Sequence, residues 1–363
     1  MVGAPAGGQS RRNGAGTPVS DSDVAKALTR VYENADDRSI PAADARIVIF
    51  SDHHKGKRDG ADDFLRCEPA YCAALGWYLE QGYTLYVLGD AEELWENNPE
   101  PVLAAGSGYA EVLGLEAEFH RDGRYERFYG NHDDLWSHKA PVAKHLHRVF
   151  PGLSVHEGQK LRLTRPDGPD GVLLFLHGHQ GTADADRGRF FARLFVRYIW
   201  RPIQRKSGYA GVTPALDYAL RAAHDRAMSA WAGCHPDKPI LITGHTHRPV
   251  FWDSKPFPAA IPPTDGGDAE RRADREFKQA KQRHRSTTYT LPTPCYFNTG
   301  CCCFGDGDVT GLEIADGEMR LVRWPVDDGT PRRKVLTQRG IDDVLDAVAA
   351  QPVAPVAGQE VQA

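Results

Sequence analysis

The residues in this sequence that could do chemistry are histidines, aspartates and an asparagine in five short motifs. The motifs are Asp52-His53-His54, Gly89-Asp90, Gly130-Asn131-His132-Asp133, His177-Gly178-His179 and Gly244-His245-Thr246-His247. Together they offer imidazole nitrogens with carboxylate and amide oxygens, and none of them contains a thiolate. This mixed donor set suits Mn²⁺, Fe²⁺, Fe³⁺ or Zn²⁺ better than Ca²⁺ or a structural zinc. We therefore expect chemistry that depends on bound metal.

Each motif follows a short apolar run that predicts a buried strand. Residues 172–176 lead into His177, for example, and residues 240–242 lead towards His245. Runs rich in Val, Ile, Phe and Tyr that stop at a glycine or a polar turn are typical of such strands. Ligands bind beyond the carboxyl ends of the strands in open α/β sheets, so five strand ends could bring these side chains together. Seven donors are too many for one ion but suit two ions that share a carboxylate, about 3.5–4 Å apart.

The order of the five motifs resembles the pattern of the calcineurin-like metallophosphoesterase superfamily, across roughly residues 45–325. The motifs are D-x-H, G-D, G-N-H-D, H-G and G-H-x-H. The resemblance implies an α/β fold of two packed mixed β-sheets flanked by helices, with a helical insertion. It also implies two divalent metal ions, Mn²⁺ first and Fe or Zn as alternatives, bridged by Asp90. The other ligands would be Asp52, His54 and His247 for the first ion and Asn131, His177 and His245 for the second.

The reaction that the resemblance implies is hydrolysis of a phosphoester or pyrophosphate bond. A hydroxide held by the metals would attack phosphorus in line. His132 would act as general acid or transition-state charge stabiliser, and Asp133 would orient its ring. Three residues just beyond the bridging aspartate either contact the site or have no role in it: Glu92, Glu93 and Trp95.

Three further residues allow more than one interpretation. Strand alternation turns His53 away from its neighbours, so we expect a structural role for it. The family pattern favours His177 over His179 as the ligand, which leaves His179 close to the substrate. Arg248 could contact phosphate oxygens or only close its loop.

One branch of the superfamily shares additional features with this chain. The segment "HGHQGTADADRGRFFARLFVRYIW", with "GHTHRP" and "GDAEELWE", resembles the bacterial UDP-2,3-diacylglucosamine pyrophosphohydrolases. Two positions depart from that group: His179 replaces an Asp, and His132 replaces an Arg. We therefore expect a general phosphohydrolase, with a pyrophosphohydrolase acting on a lipid-linked nucleotide as the alternative. A non-catalytic scaffold of the same fold is a third hypothesis, but no ligand is missing from the motifs.

The chain divides into a flexible N-terminal segment with a short helix (1–40), a catalytic domain (41–327) and a C-terminal helix with a loose tail (328–363). The catalytic domain carries a helical insertion at 184–236 and a polar loop at 253–290. Arginines at four-residue steps share one side of the first insertion helix: Arg189, Arg193, Arg197 and Arg201. They could bind an anionic substrate, and residues 187–206 are a candidate for peripheral contact with lipid. Alternatively, the aromatic side packs on the domain and the arginines face water.

The composition limits the classes of function. The net charge of −5 over 363 residues implies no general affinity for nucleic acid, so we expect a phosphorylated small molecule as substrate. The N-terminus lacks the apolar core of a signal peptide, and seven cysteines suit no disulfide framework. We therefore expect a cytoplasmic protein with reduced thiols. Cys301, Cys302 and Cys303 are interpreted as small buried residues at a strand end. The sequence does not predict an oligomeric state.

Overall fold

The computed structural model describes residues 21–60, 62–104, 106, 108–181, 218–251 and 295–351. Within these ranges the chain folds into two mixed β-sheets, packed face to face and flanked by helices. The expected fold class, α/β with two packed mixed sheets, is therefore confirmed. No helix among the described residues is both long and apolar enough to cross a bilayer.

The helices and strands follow the alternation expected from the sequence. The helices are α1 (Asp21–Asn34), α2 (Glu68–Glu80), α3 (Pro99–Leu103), α4 (Ala110–Arg121), α5 (Lys139–His145), α6 (Tyr218–Cys234) and α7 (Ile341–Ala349). Short 3-10 turns lie at Ala42–Asp44, Asp63–Arg66, Asp134–Ser137 and Leu146–Arg148. The first strands are β1 (Asp36–Pro41), β2 (Arg46–Phe50), β3 (Thr84–Leu88), β4 (Tyr125–Phe128), β5 (Val155–His156), β6 (Gly158–Thr164) and β7 (Gly171–Leu176). The others are β8 (Ile240–Thr243), β9 (Tyr296–Asn298), β10 (Val309–Ala315), β11 (Glu318–Trp324), β12 (Val326–Asp327), β13 (Thr330–Pro331) and β14 (Lys334–Gly340).

The two large sheets combine parallel and antiparallel pairs. One has seven strands in the order β14-β11-β10-β2-β3-β4-β5, in which β2, β3, β4 and β5 run parallel. The other has five strands in the order β1-β6-β7-β8-β9, in which β7, β8 and β9 run parallel. A hairpin around Asp316 joins β10 to β11. The parallel blocks matter for function because they align the carboxyl ends of successive strands at one edge.

Strand β2 shows how alternation builds the layers. Ile47 and Ile49 belong to the core between the two sheets, whereas Val48 and Phe50 face the helices on the outer side of the seven-stranded sheet. Successive side chains of a strand point to opposite faces, so an uninterrupted apolar strand is buried on both. The Phe50 ring meets Tyr71 of α2 at a centroid distance of 5.4 Å. The sandwich therefore fixes β2 from both sides.

Helices also cover the five-stranded sheet. Helices α1 and α6 pack together there, and the Trp231 indole donates a hydrogen bond to Thr29 at 3.0 Å. A helical insertion was expected at 184–236, and its described part includes α6, which runs from Tyr218 to Cys234. The arginine-bearing first helix, the lipid-contact candidate 187–206 and the polar loop 253–290 lie outside the described residues, as do residues 1–20 and the end of the tail.

The packed unit is wider than the expected domain of 41–327. Strand β1 pairs in parallel with β6, although its polar sequence DDRSIP gave no strand signal. At the other end, β14 extends the seven-stranded sheet, and α7 buries Val344 and Leu345 in the core between the sheets. Both flanking segments are thus partly integral to the sandwich.

Candidate metal centre

The predicted ligands leave their strands through an unusual backbone conformation. Asp52, His54, Asp90, His245 and His247 all have positive φ angles, between 50° and 67°. The left-handed region is uncommon for residues with a Cβ, although Asp and His enter it more readily than most. Such conformations concentrate at functional sites, where the surrounding structure holds them in place. Here they turn the side chains back across the ends of the strands.

The loops after β2, β3, β7 and β8 are tied to one another by backbone hydrogen bonds. The Asp52 N–H donates to Gly89 O at 3.2 Å, and the His54 N–H donates to Asp90 O at 2.8 Å. Within the five-stranded sheet, the Gly244 N–H donates to His177 O at 2.9 Å. The two sheets are joined where the His245 N–H donates to Asp52 Oδ2 at 2.9 Å. These bonds hold the predicted ligands of both sheets around one centre.

The donors expected for the first metal lie together. His247 Nε2 is 3.2 Å from Asp52 Oδ1 and 3.3 Å from His54 Nε2. His54 Nε2 is 3.8 Å from Asp90 Oδ2, the expected bridging carboxylate. Ligand atoms that share one ion with bonds of about 2.0–2.2 Å must lie at such separations. Each neighbouring pair of these donors is therefore close enough to share a cation.

The donors expected for the second metal meet on the other side of Asp90. His177 Nε2 is 3.1 Å from Asp90 Oδ2 and 3.3 Å from Asn131 Oδ1. Its other nitrogen, Nδ1, lies 2.7 Å from Leu88 O, which fixes the ring with Nε2 towards the centre. The His245 ring lies beside that of His177, with a centroid distance of 5.2 Å.

The donor chemistry fits two cations. Among the described residues, two groups of candidate ligands share Asp90, one with His54 and His132 and the other with His177 and His245. Asp52 Oδ1 is buried 3.2 Å from His247 Nε2 with no hydrogen bond of good geometry, so a cation between the two atoms would compensate its charge. The seven predicted ligands thus converge, and His132 joins them more closely than expected.

Burial and neighbouring charges have opposite effects on the pKa values of Asp90 and His177. Burial alone would raise the pKa of Asp90, but the charges of His177 and His132 outweigh it and hold that pKa well below its usual value. Burial likewise disfavours the charged form of His177, yet Asp90 and Asp52 raise the pKa of His177 to about 9. Without metal, the imidazoles therefore supply the positive charge that the carboxylates require.

Glu93 orients the expected acid, His132. Glu93 Oε2 lies 2.7 Å from His132 Nδ1 and 3.1 Å from Nδ1 of the ligand His54. Trp95 stacks on the His132 ring at 4.3 Å and donates its indole hydrogen to Asn131 O at 2.6 Å. Glu93 Oε2 thus accepts from Nδ1 of both imidazoles, so Nε2 of each ring is not engaged by Glu93. The sequence had left the roles of Glu93 and Trp95 open, and both belong to the site.

Asp133 has a different role from the one expected. Its carboxylate accepts backbone N–H groups from Gly130 at 2.6 Å, Ala91 at 2.9 Å and Asp90 at 3.2 Å. The ring of His132 is held by Glu93 instead. The expectation that Asp133 orients the His132 ring is therefore corrected: alternation buries Asp133 beneath the loop, where it holds the backbone of the bridging aspartate.

The remaining histidines of the motifs, His53 and His179, lie outside the group of predicted ligands. His53 is fully buried and packs edge-on against Tyr71 at 4.5 Å, away from the centre. His177, not His179, faces Asp90 and Asn131. The His179 ring lies behind His177 at a centroid distance of 5.5 Å.

A buried network of charges lies under the centre, and sequence reasoning missed it. Lys55 Nζ is 3.0 Å from Glu116 Oε1 and 3.5 Å from Glu92 Oε1, and all three side chains are fully buried. Arg127 pairs with Glu92 and lies 3.7 Å from Asp133 Oδ2. The network therefore connects the loops after β2, β3 and β4.

Helix α6 supports the loop that carries His245 and His247. Asp225 is fully buried and accepts from the Thr246 hydroxyl at 3.1 Å and from Arg248 at 2.6 Å. His224 Nε2 lies 2.6 Å from Gly178 O. Arg248 therefore helps to close its loop, and its contact with phosphate oxygens stays a prediction.

Comparisons with known proteins leave the family open. No family model matches the chain, and no curated protein matches it. A search of solved structures finds vacuolar protein sorting 29 from Cryptosporidium parvum, 10% identical, with 82% of this chain and 98% of that chain covered. The TM-score of that match is 0.29, too low to carry a conclusion about fold or function.

Proposed function

We propose that the chain is a phosphohydrolase that uses two divalent metal ions to cleave a phosphoester or pyrophosphate bond in a small molecule. The observation that carries this proposal is the shared position of Asp90, 3.1 Å from His177 Nε2 on one side and 3.8 Å from His54 Nε2 on the other. A carboxylate between two sets of imidazoles fits the bridge of a dinuclear centre.

The residues would divide into three roles. Asp52, His54 and His247 would hold the first ion, and Asn131, His177 and His245 the second, with Asp90 between them. When bound, two such ions activate water and stabilise the entering and leaving oxygens of a phosphoryl transfer. No ligand of either set is missing, which favours an enzyme over a scaffold.

His132 would deliver a proton or stabilise charge on the phosphoryl group. Its Nδ1 is engaged by Glu93, so Nε2 is the nitrogen available to a leaving oxygen. Burial disfavours the charged ring, but Glu93 and Asp90 raise the pKa of His132 to about 9. A ring that is held through Nδ1 and leaves Nε2 for the phosphoryl group suits this role.

The test is hydrolysis of a chromogenic phosphomonoester and a chromogenic phosphodiester with Mn²⁺. We expect Asp90→Asn to abolish activity and His132→Ala to lower kcat by about 10²- to 10⁴-fold, the usual contribution of general acid–base catalysis. The exposed residues Asp44 and His138 provide matched controls, Asp44→Asn and His138→Ala, which should keep full activity. Persistent activity in Asp90→Asn would overturn the proposed site.

The substrate class needs a separate screen. UDP-sugars, cyclic nucleotides, dinucleoside polyphosphates and phospholipids should be compared, with His132→Ala as the background. Preference for a diphosphate that carries acyl chains would support the lipid-linked pyrophosphohydrolase alternative. Inactivity on every phosphoester with both metals bound would favour the scaffold.

A further inference from the structure

One loop, Gly244–Arg248, carries a predicted ligand of each metal ion. His247 belongs to the first set and His245 to the second, and only Thr246 separates them. His247 Nε2 lies 3.2 Å from Asp52 Oδ1. The ring of His245 lies beside that of His177 at a centroid distance of 5.2 Å. A displacement of this loop would therefore move a donor of both ions at the same time.

Helix α6 contacts the loop through two side chains that lie one turn apart. Asp225 Oδ1 accepts from the Thr246 hydroxyl at 3.1 Å, and Asp225 Oδ2 accepts from Arg248 Nε at 3.0 Å and Nη2 at 2.6 Å. Arg221 Nη1 donates to Thr246 O at 3.0 Å. Residues four positions apart are neighbours on one face of a helix, so this face of α6 bonds both the side chain and the backbone of Thr246.

Asp225 lies where the helix, the loop and strand β9 meet. Its side chain is fully buried, and the Tyr296 hydroxyl on β9 donates to Oδ1 at 2.7 Å. A buried carboxylate is costly unless charges and hydrogen bonds compensate it, and Arg248 supplies the charge here. Asn298, also on β9, donates from Nδ2 to Gly244 O at 2.6 Å. The loop is therefore bonded to α6 and to β9 at once.

We propose that Asp225 is a positioning residue for both metal ions, because it fixes the loop that presents His245 and His247. The inference rests on the proposed function only in assigning one of these histidines to each ion. Loss of a residue that orients a metal ligand typically costs roughly 10- to 100-fold in affinity. A partner of one ligand would affect one ion, whereas a residue that fixes this loop affects both. The insertion to which α6 belongs thereby contributes to metal binding.

Calorimetric titration of the metal-free protein with Mn²⁺ tests the proposal through Thr246. Thr246→Val keeps the branched shape but removes the hydroxyl that donates to Asp225, whereas Thr246→Ser keeps a hydroxyl. We expect Thr246→Val to bind each of the two ions roughly 10-fold more weakly than the wild type. Thr246→Ser should bind both ions about as tightly as the wild type. Equal losses in the two variants would contradict a role for the hydrogen bond to Asp225.

Substitution of Asp225 itself gives a second readout. Asp225→Asn removes the negative charge beside Arg248 and should weaken the binding of both ions by roughly 10- to 100-fold. Asp237→Asn is a matched control, because Asp237 is exposed beyond the end of α6 and accepts from the Tyr32 hydroxyl instead. It should keep both affinities. Circular dichroism and thermal unfolding would verify that each variant is folded at the temperature of the titration.

The outcomes separate this inference from the proposed function. Lower thermal stability of Thr246→Val and Asp225→Asn with unchanged Mn²⁺ affinities would overturn the positioning role alone, as would a loss confined to one ion. Failure of the wild type to bind two Mn²⁺ ions would overturn both proposals. Two ions bound without hydrolysis of any phosphoester would overturn the proposed function and leave the positioning role in place.

Discussion

Replacement of Lys55 by Met tests the buried charge network beneath the centre. The methionine keeps an unbranched side chain but removes the ammonium, which lies 3.0 and 3.2 Å from the two Glu116 oxygens and 3.5 Å from Glu92. All three side chains are fully buried, so water cannot replace the lost partner. Removal of one member of a buried ion pair typically costs about 3–5 kcal/mol, because the other charge is left uncompensated. We expect the free energy of unfolding of Lys55→Met to be lower than that of the wild type by about that amount.

Urea unfolding of the metal-free protein at fixed pH measures this loss. The midpoint should fall without a change in m, which would show that stability and not compactness has changed. Lys57→Met is a matched control, because Lys57 is exposed and its pairing with Asp59 spans 3.7 Å. A surface pair of that kind contributes at most about 1 kcal/mol.

A second substitution identifies the cause. If the uncompensated charge of Glu116 is responsible, Lys55→Met combined with Glu116→Gln should be more stable than Lys55→Met alone. Contacting residues usually couple by about 0.5–3 kcal/mol. A loss below about 1 kcal/mol for Lys55→Met, or no recovery in the double variant, would refute the network as a source of stability.

Three further predictions concern the centre itself. In the metal-free protein, NMR titration should give His132 a pKa of about 9, and Glu93→Gln should move it towards the ordinary value because the charge that offsets burial is gone. The raised pKa of His132 stabilises the folded state fully at a pH below the unfolded value of about 6.5. This stabilisation should be lost as the pH rises through about 9, and the loss should be smaller in Glu93→Gln. Gly130→Ala places a Cβ 2.1 Å from Asp90 Oδ1 and should weaken Mn²⁺ binding at least roughly tenfold by calorimetry, whereas Gly114→Ala, with open space around it, should not. Addition of Mn²⁺ at 100 times its Kd should stabilise the wild type by about 2.7 kcal/mol in thermal unfolding, and a chelator should reverse this; Asp90→Asn should show neither effect.

The convergence of the predicted ligands could be anticipated from the sequence because each follows an apolar strand closely. That local signal places Asp52, Asp90 and His177 at strand ends, and the parallel pairing of the strands brings those ends together. The sequence did not distinguish Glu92 from Glu93. Adjacent residues point to opposite sides, so one entered the buried network and the other the centre. The sequence does not predict which side chain of an irregular loop points to which side, because the loop lacks the regular alternation of a strand.

Other features had no local signal at all. Strand β1 is polar because it pairs at the edge of the sheet, with its side chains largely exposed. Asp225 supports the ligand loop from an insertion helix, and Cys303 approaches His247 across 56 positions of sequence. Contacts of this kind depend on which segments the tertiary fold brings together. The motif spacing, which is local, carries no information about them.

The left-handed backbone of five predicted ligands has a consequence for engineering. A residue with a Cβ in that region costs roughly 1–2 kcal/mol, so five of them cost about 5–10 kcal/mol, which is comparable with the net stability of an ordinary domain, about 5–15 kcal/mol. Glycine at Asp52 or His247 would relax the chain and delete a donor at the same time. Attempts to make the protein more heat-resistant should therefore leave these strand ends unchanged. Their substitution would raise the stability of the fold and remove a predicted metal donor.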